Sequence, residues 1–258
     1  MKKTLTYLLA LAFVCVFIFT LSACNNVKNP SSDDETQIWL PYTMLDHHEN
    51  CKYTYYYNEY GNEIKTVKED LNGNVQATWI SEYDDDGNLI KKSVDTESGE
   101  PFVQLIQTYD DKGNLIEKRE INTTTETVYT YEYDEQNKLI SRSNGGEIIE
   151  AYTYMADGSY KVQSTNNADQ YSIYDADGKI KEFHFNAFNA DIKFVFSYNE
   201  DGILVECVTY SGESMKEKMV YHLDENGNAV KVSKVNASGD ETLYGEYEYK
   251  QYTVKAAE

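Results

Sequence analysis

The sequence predicts an all-β protein, an antiparallel β-meander of about eight repeated hairpins that forms a long twisted or curled sheet. The first observation is the stretch YDDDGNLIKK at residues 83–92, whose pattern recurs in eight copies along the chain. The second is the alternation of aromatic and polar residues before most copies, which is the period of a half-buried strand. No amphipathic helical period interrupts the array, so we expect strands and turns throughout.

Each copy carries the residue types of a tight hairpin turn. In all but one copy, the first turn position, directly after the tyrosine or leucine, carries a side chain that can hydrogen-bond the backbone two residues further on. These first positions are Asn58, Asp84, Asp110, Asp134, Met155, Asp175, Asn199 and Asp224. Three residues later come Gly61, Gly87, Gly113, Asn137, Gly158, Gly178, Gly202 and Gly227. A type I turn closed by a bulge needs a positive φ there, and asparagine tolerates a positive φ best after glycine.

The aromatic residues before the turns define one face of the expected sheet. Tyr53, Tyr55 and Tyr57 alternate with other residues, and Tyr129 and Tyr131 do the same further along the chain. Two interpretations of this face are open. The rings form the core, because a meander needs one covered face and tyrosine can keep its hydroxyl in water. Alternatively, they form an exposed platform that stacks on sugar rings or partner proteins.

The eight copies resemble the YD-repeat family, the tyrosine-aspartate repeats of bacterial Rhs-type and teneurin-like proteins. The resemblance covers residues 53–249, and Asn137, Met155 and Leu223 depart from its pattern. Large members of the family curl a long strip of sheet into a hollow shell around a toxin. Eight hairpins without a following toxin domain are too few to imply such a shell here.

Residues 1–23 are expected to be a lipoprotein signal peptide. Lys2 and Lys3 precede a long apolar run that ends in LSAC, which resembles the lipobox of bacterial lipoproteins. The resemblance implies that Cys24 is lipidated and holds the protein at the cell membrane, on its extracytoplasmic face. An uncleaved anchor or an ordinary signal peptide is the alternative. Residues 24–37 are polar and are expected to form a flexible lipidated tether.

Residues 38–52 lack the repeat pattern, and we expect them to cap an exposed end of the array. The candidate cap residues are Trp39, Leu40, Tyr42 and Leu45. The same segment holds possible metal ligands at Asp46, His47, His48, Glu49 and Cys51. Adjacent residues of an extended chain point in opposite directions and rarely converge on one ion, so we expect a solvated loop and assign no metal.

The repeat domain, residues 53–258, needs turns at the other end of its hairpins as well. The sequence DLNG at residues 70–73 is such a turn signal, and similar signals lie between the later copies. Tyr247, Tyr249, Tyr252 and Val254 then supply the last strand. We expect each strand to pair with its sequence neighbours.

The net charge of the chain limits the classes of partner that it can bind. Its 258 residues carry a formal charge of −21, so its surface repels the phosphates of nucleic acid and of anionic membranes. Cys51 and Cys207 could form one disulfide in an exported protein. Because they lie at distant points of a linear array, we favour two unpaired thiols.

The sequence contains no nucleophile elbow, phosphate loop or zinc-protease helix, so no catalytic residue and no cofactor is assigned. Residues 84–87 and 175–178 resemble the first half of calcium loops, but hairpin turns explain their Asp and Gly residues. We therefore expect a non-enzymatic binding or scaffold module of the cell envelope with a macromolecular partner, either protein or glycan. The alternatives are a carbohydrate-binding lipoprotein with exposed tyrosines, an enzyme with a hidden carboxylate pair, and an accessory or relic of an Rhs-type toxin system.

Overall fold

The computed structural model describes residues 35–96, 101–122, 124–187 and 190–255. This part of the chain forms eighteen antiparallel β-strands and contains no helix. The first nine strands are β1 (Thr36–Asp46), β2 (Cys51–Tyr57), β3 (Glu63–Asp70), β4 (Val75–Tyr83), β5 (Leu89–Thr96), β6 (Phe102–Tyr109), β7 (Leu115–Ile121), β8 (Glu126–Tyr133) and β9 (Leu139–Asn144). The second nine are β10 (Glu147–Tyr154), β11 (Tyr160–Ser164), β12 (Tyr171–Tyr174), β13 (Ile180–Ala187), β14 (Ala190–Tyr198), β15 (Leu204–Ser211), β16 (Ser214–Leu223), β17 (Ala229–Asn236) and β18 (Glu241–Val254). The all-β antiparallel meander is thus confirmed.

The sheet closes on itself. Every strand pairs with its sequence neighbours, and β1 also pairs with β18, from Thr36 opposite Val254 to Asp46 opposite Gly245. The sheet is therefore not the long twisted or curled sheet that the sequence predicted, because the eighteen strands form a closed barrel. Strand twist accumulates along the meander, and pairing the two terminal strands satisfies backbone groups that open edges would expose.

Residues 38–52, which we expected to cap the array, lie mostly within the sheet. Residues 38–46 belong to β1, and the chain then turns at Asn50, which has a φ of +53°, into β2. β1 pairs with β2 from Thr43 opposite Thr54 to Asp46 opposite Cys51. This segment covers the free edge by completing the sheet. The predicted signal peptide, Cys24 and residues 24–34 of the tether lie outside the described residues.

The repeated turns form one rim of the barrel, which we call the near rim. At each of them the fourth residue has a positive φ, including Asn137 at +66°. In a representative turn, the amide of Gly113 donates to the carbonyl of Asp110, and the amide of Asp110 donates to the carbonyl of Asn114. The strand register slips by one residue beside most of these turns, for example between Thr108 and Tyr109. The predicted bulged hairpin is therefore confirmed.

The asparagine after many of the turn glycines has a role that the sequence analysis did not anticipate. The Asn114 side chain donates to the Asp110 carboxylate at 2.9 Å, while the backbone amide of Asn114 donates to the same carboxylate at 2.8 Å. Asn88 and Asn228 repeat this arrangement with Asp84 and Asp224. The aspartate thus holds the residue four positions on, in addition to the residue two positions on.

The tyrosine rows lie on the enclosed face of the barrel, which we call the tyrosine face. The register aligns Tyr55, Thr66, Trp79 and Val94 across β2 to β5. A cluster of buried hydrophobic residues lies on the same face and includes Phe194, which is 1% exposed. This placement agrees with the core interpretation of the rows, whereas the exposed tyrosines, Tyr56 and Tyr60, belong to no row.

Candidate functional site

The tyrosine face has an apolar half and a polar half. In β13, β15 and β17, the fifth residue after the turn residue with positive φ (Gly178, Gly202 or Gly227) lies on this face and is apolar. These residues are Phe183, Cys207 and Val232, and they pack in or against the buried cluster. The equivalent residues of β5, β7 and β9 are cations, Lys92, Lys118 and Arg142. One structural position therefore carries opposite chemistry on the two sides of the barrel.

The register places these three cations on the tyrosine face. Lys92 lies opposite Ser81, Lys118 lies opposite Tyr129, and Arg142 lies opposite Tyr131. The cations occupy alternate strands and are staggered by two residues, since Glu120 lies straight across from Lys92 and Asn144 lies straight across from Lys118. We call Lys92, Lys118 and Arg142 the inner cation row.

Two members of the inner cation row form ion pairs. Lys118 Nζ lies 2.7 Å from Glu120 Oε1, and Arg142 Nη2 lies 2.6 Å from Glu150 Oε1. The Arg142 guanidinium also lies 4.8 Å from the centre of the Tyr129 ring. Lys92 makes no ion pair within the part of the chain that the structure describes.

The outer face carries a second ordered row, on β11 to β15. Tyr171 stacks on His184 with ring centres 4.2 Å apart, and Lys161 Nζ lies 4.1 Å from the centre of the Tyr171 ring. The row continues through Lys193, which lies opposite His184 and places its Nζ 5.1 Å from the Tyr210 ring. We call Lys161, Tyr171, His184, Lys193 and Tyr210 the outer aromatic row. Its rings stack in register because cross-strand neighbours on one face of a sheet lie side by side.

The structure brings together three of the five possible metal ligands. The ligand atoms of Asp46, Glu49 and Cys51 lie within 4.8 Å of one another. They converge because residues 47–50 form a turn. The prediction that these residues point in opposite directions along an extended chain is therefore wrong for these three. His47 and His48 point away toward β18. The ring of His47 is hydrogen-bonded to Glu246 at 2.8 Å, and the ring of His48 stacks on Tyr244.

A lysine supplies the positive charge at this cluster. Lys68 Nζ lies 2.6 Å from Glu49 Oε2, and its hydrogen bond is the main cause that lowers the pKa of the Glu49 carboxyl. Burial raises the pKa of the Cys51 thiol, which therefore stays protonated and donates to Glu49. The arrangement satisfies the Glu49 carboxylate with donors from the chain itself, so we assign no metal to it.

The two calcium-like turns use their aspartates internally. Asp84 accepts from the amide of Asn88 at 2.7 Å, and Asp175 accepts from the amide of Lys179 at 2.8 Å. Within the described ranges, these aspartates belong to no group of three converging carboxylate, thiol or imidazole ligands. The hairpin interpretation of both turns agrees with this geometry.

Cys51 and Cys207 are both buried, on β2 and β15, and no disulfide joins them. A shallow surface depression of about 380 Å³ lies in the described region. It lies between β1, β2, β17 and β18, and its polar lining includes Thr43, Lys52, Glu246 and Glu248. The described residues include no helix with the length and apolar character needed to cross a membrane.

Both ordered rows were missed by the sequence analysis. The inner cation row has a sequence signal, because its members lie at one fixed offset from Gly87, Gly113 and Asn137. The outer aromatic row has no such signal. Tyr171 and His184 become neighbours only through the pairing of β12 with β13.

No protein-family model and no curated protein matches the chain. It resembles solved toxin complexes weakly. Against the crystal structure of TcdB2-TccC3-Cdc42 it has 9% identity and a TM-score of 0.41, covering 78% of this chain and 15% of that chain. Against TcdB2-TccC3 without its hypervariable C-terminal region the identity is 12% and the TM-score 0.35, covering 75% and 10% of the two chains. The Tc holotoxin pore of Photorhabdus luminescens gives 13% identity and a TM-score of 0.28, covering 76% and 9%.

The chain thus spans 15% or less of the length of these structures. Similarity at these TM-scores assigns no family, and the resemblance of the repeats to the YD-repeat family stays a prediction. The structure itself contains a closed sheet with an inner cation row and an outer aromatic row.

Proposed function

We propose that this protein is a non-enzymatic binding or scaffold module of the cell envelope, and that the outer aromatic row is its contact surface for a macromolecular partner. The observation that carries the proposal is the alignment of aromatic and cationic side chains over five consecutive strands, β11 to β15. Aromatic residues contribute disproportionately to protein interfaces, and a rigid sheet presents them at little cost in conformational entropy.

Because the sheet is closed, we expect a macromolecular partner to bind its outer face. The tyrosine rows lie on the enclosed face, where they pack against one another, for example Tyr160 on Tyr174 with ring centres 4.7 Å apart. A partner that meets the side of the barrel therefore meets the outer residues. The alternative of a carbohydrate platform made from the tyrosine rows would require the sugar to enter the barrel.

We propose no catalytic role for the carboxyl groups. A general acid usually has a raised pKa, caused by burial or by a neighbouring carboxylate. Within the described ranges, each carboxyl whose pKa departs from its ordinary value has a lowered pKa. These carboxyls are Glu49, Glu59, Asp70, Asp110, Asp157, Asp224 and Glu241.

We propose that Cys24 is the lipid-attachment site, and that its lipid anchors the protein on the extracytoplasmic face of the membrane. β1 begins at Thr36 on the near rim and takes in residues 36 and 37 of the predicted tether 24–37, so the remainder of that tether would hold the near rim toward the membrane. Cys24→Ser should abolish incorporation of labelled palmitate and move the protein from the membrane fraction to the soluble fraction. Unchanged labelling and fractionation would refute the assignment.

The partner proposal is tested by cross-linking and affinity capture from envelope extract. Tyr171→Ala combined with Tyr210→Ala should lose a partner that the parent protein captures, because the row loses both of its tyrosine rings. Tyr56→Ala is the matched control, since Tyr56 is 44% exposed and lies on β2, away from the outer aromatic row. Equal capture by the parent and the double variant would contradict the proposal.

The proposed accessory role in an Rhs-type toxin system rests on the sequence resemblance alone. It predicts that genes for a toxin or an immunity protein lie next to the gene for this chain. Their absence in several genomes would remove this alternative while leaving the outer-face proposal intact.

A further inference from the structure

The strand pairing that closes the barrel is also its longest. β1 and β18 are the two longest strands of the described chain, with 11 and 14 residues, and ten residues of β1 have partners in β18. No other strand pair in the described ranges has more than seven such partners. β1 adds four partners in β2, from Thr43 to Asp46. We call the pairing of β1 with β18 and β2 the closing ladder.

Side chains reinforce the closing ladder along its length. Three pairs join β1, or the turn after it, to β18, and they are Gln37 with Thr253 at 2.8 Å, Thr43 with Glu248 at 3.0 Å and His47 with Glu246 at 2.8 Å. A fourth contact comes from β2, because the Tyr57 hydroxyl donates to the carbonyl of Pro41 at 2.8 Å. Leu40 and Val254 add apolar packing, since they are only 5% and 3% exposed.

The direction of an applied force decides how the closing ladder is loaded. β1 runs from Thr36 at the near rim to Asp46 at the opposite rim, and its hydrogen bonds to β18 lie perpendicular to the strands. A pull on Thr36, with the barrel held at the opposite rim, acts along β1 and strains these bonds together. A pull that separates Thr36 from its partner Val254 opens the same bonds one pair at a time. The ladder therefore resists the first pull more strongly than the second.

The side chains of β1 also oppose sliding by a single residue. A slip of one position moves every side chain of a strand to the other face of the sheet. Leu40 and Met44 are buried at 5% and 8% exposure, whereas the neighbouring Trp39 is 41% exposed. A slipped β1 would therefore expose two apolar side chains and force an indole into a space that does not fit it. The closing ladder has no adjacent register in which it could hold, so we expect it to fail as a unit.

We propose that β1 is a strap that keeps the barrel closed under tension between its N-terminal tether and a partner bound to the outer aromatic row. The source of this tension rests on the proposed function, whereas the resistance belongs to the folded chain itself. The tether enters β1 at Thr36 on the near rim, and Tyr210 of the outer aromatic row lies at the other end of its strand, β15. Tension between these two points acts mainly along the strands, which is the direction in which the closing ladder is strongest.

The test is single-molecule force spectroscopy on the protein carrying Cys24→Ser, which removes the proposed lipid site. One handle is attached at the N-terminus. In the shear geometry the second handle is attached to Ala237→Cys, in the exposed turn before β18. In the peeling geometry it is attached at the C-terminus, beside the N-terminal end of β1. The buried thiols of Cys51 and Cys207 are 1% and 2% exposed and should not take a handle. The first unfolding event should need a severalfold higher force in the shear geometry, at the same loading rate.

The chain supplies a matched pair of variants for locating the point of failure. Tyr57→Phe deletes the hydrogen bond from β2 to the Pro41 carbonyl of β1 and keeps the ring. Tyr109→Phe deletes the same kind of bond, to the Leu89 carbonyl, away from the closing ladder. Tyr57→Phe should lower the force in the shear geometry, whereas Tyr109→Phe should leave it at the parent value. Because the two substitutions remove the same chemical group, a difference between them assigns the resistance to β1.

Two outcomes would overturn the proposal. Equal forces in the shear and peeling geometries would show that the closing ladder does not depend on direction. Equal loss of force in Tyr57→Phe and Tyr109→Phe would show that unfolding begins elsewhere in the barrel. Neither outcome bears on the lipid site, which palmitate labelling tests separately, and a failure of that labelling would leave the measured resistance of β1 unchanged.

Discussion

Tyr83 donates its hydroxyl to the backbone carbonyl oxygen of Glu63, at 2.8 Å and one repeat earlier in the chain. The contact recurs around the near rim, where most of the tyrosines at this position reach back to the strand that follows the preceding turn. The other pairs of this kind are Tyr109 with Leu89, Tyr133 with Leu115, Tyr154 with Leu139, Tyr198 with Ile180, and Tyr249 with Ala229. The tyrosine of the repeat therefore joins neighbouring hairpins, in addition to filling the tyrosine face.

Removing one of these hydroxyls should destabilise the fold. Tyr109→Phe deletes the 3.1 Å hydrogen bond to the Leu89 carbonyl and keeps the ring. We expect a loss of about 1 kcal/mol in the free energy of unfolding, measured by urea denaturation. Tyr56→Phe is the control, since Tyr56 is exposed and its change should stay within about 0.5 kcal/mol. Equal losses in the two variants would contradict the joining role.

The turn glycines are required for their backbone conformation. Gly113 has a φ of +79°, and a Cβ added there would meet no atom within 4 Å, so only the conformation opposes a side chain. Gly113→Ala should therefore reduce the free energy of unfolding by about 1–2 kcal/mol. Asn137→Gly places the preferred residue at the equivalent position, where φ is +66°, but deletes two exposed side-chain hydrogen bonds with Asn114, so it should cost less stability than Gly113→Ala. A neutral Gly113→Ala variant would refute this account.

Closure of the sheet can be tested by a cross-link. Gln37 Nε2 lies 2.8 Å from Thr253 Oγ1, although the two residues are 216 positions apart. Gln37→Cys combined with Thr253→Cys should form an intramolecular disulfide, because paired residues of antiparallel strands are close enough for one. Non-reducing electrophoresis and peptide mapping would detect it. Gln37→Cys alone keeps the native thiols and serves as the control, and disulfide-linked dimers without the internal bond would argue against closure.

Stability should fall at alkaline pH. Burial raises the pKa of Tyr160, Tyr198 and Tyr249 to about 12, from an ordinary value of 10.0. The folded state therefore holds these phenols neutral where the unfolded state ionises them. Their contribution to stability is complete below pH 10 and is lost as the pH rises toward 12.

Urea denaturation at several pH values, together with phenolate absorbance, checks the alkaline prediction. Tyr198→Phe should reduce the slope of stability against pH, because one of the shifted groups is removed. If the phenols of the folded protein all ionise near pH 10 and stability does not change there, the burial of the tyrosine face is contradicted.

The turns and the strand period could be predicted from the sequence because both depend on neighbouring residues. A positive φ at Gly87 and at Asn137 follows from steric limits within one residue, and the Asx hydrogen bonds span only a few positions. The alternation at Tyr53, Tyr55 and Tyr57 follows from the period of a strand. These features needed no knowledge of how distant strands pair.

The candidate surfaces could be predicted only in part. The fixed offset of Lys92, Lys118 and Arg142 from their turns is visible in the sequence, but its direction depends on the bulges beside those turns. The contact of Tyr171 with His184 depends on the register between β12 and β13. The convergence of Asp46, Glu49 and Cys51 depends on a turn outside the repeats.

Local residue chemistry was sufficient to establish that this chain is a meander of bulged hairpins with aromatic rings on one side. Closure was decided by the tertiary structure, because it rests on backbone hydrogen bonds between β1 and β18, which any pair of extended segments can form. The summed twist of many strands determines whether such segments meet, and no single repeat encodes that sum. Closure in turn decided which residues are enclosed and which remain available to a partner.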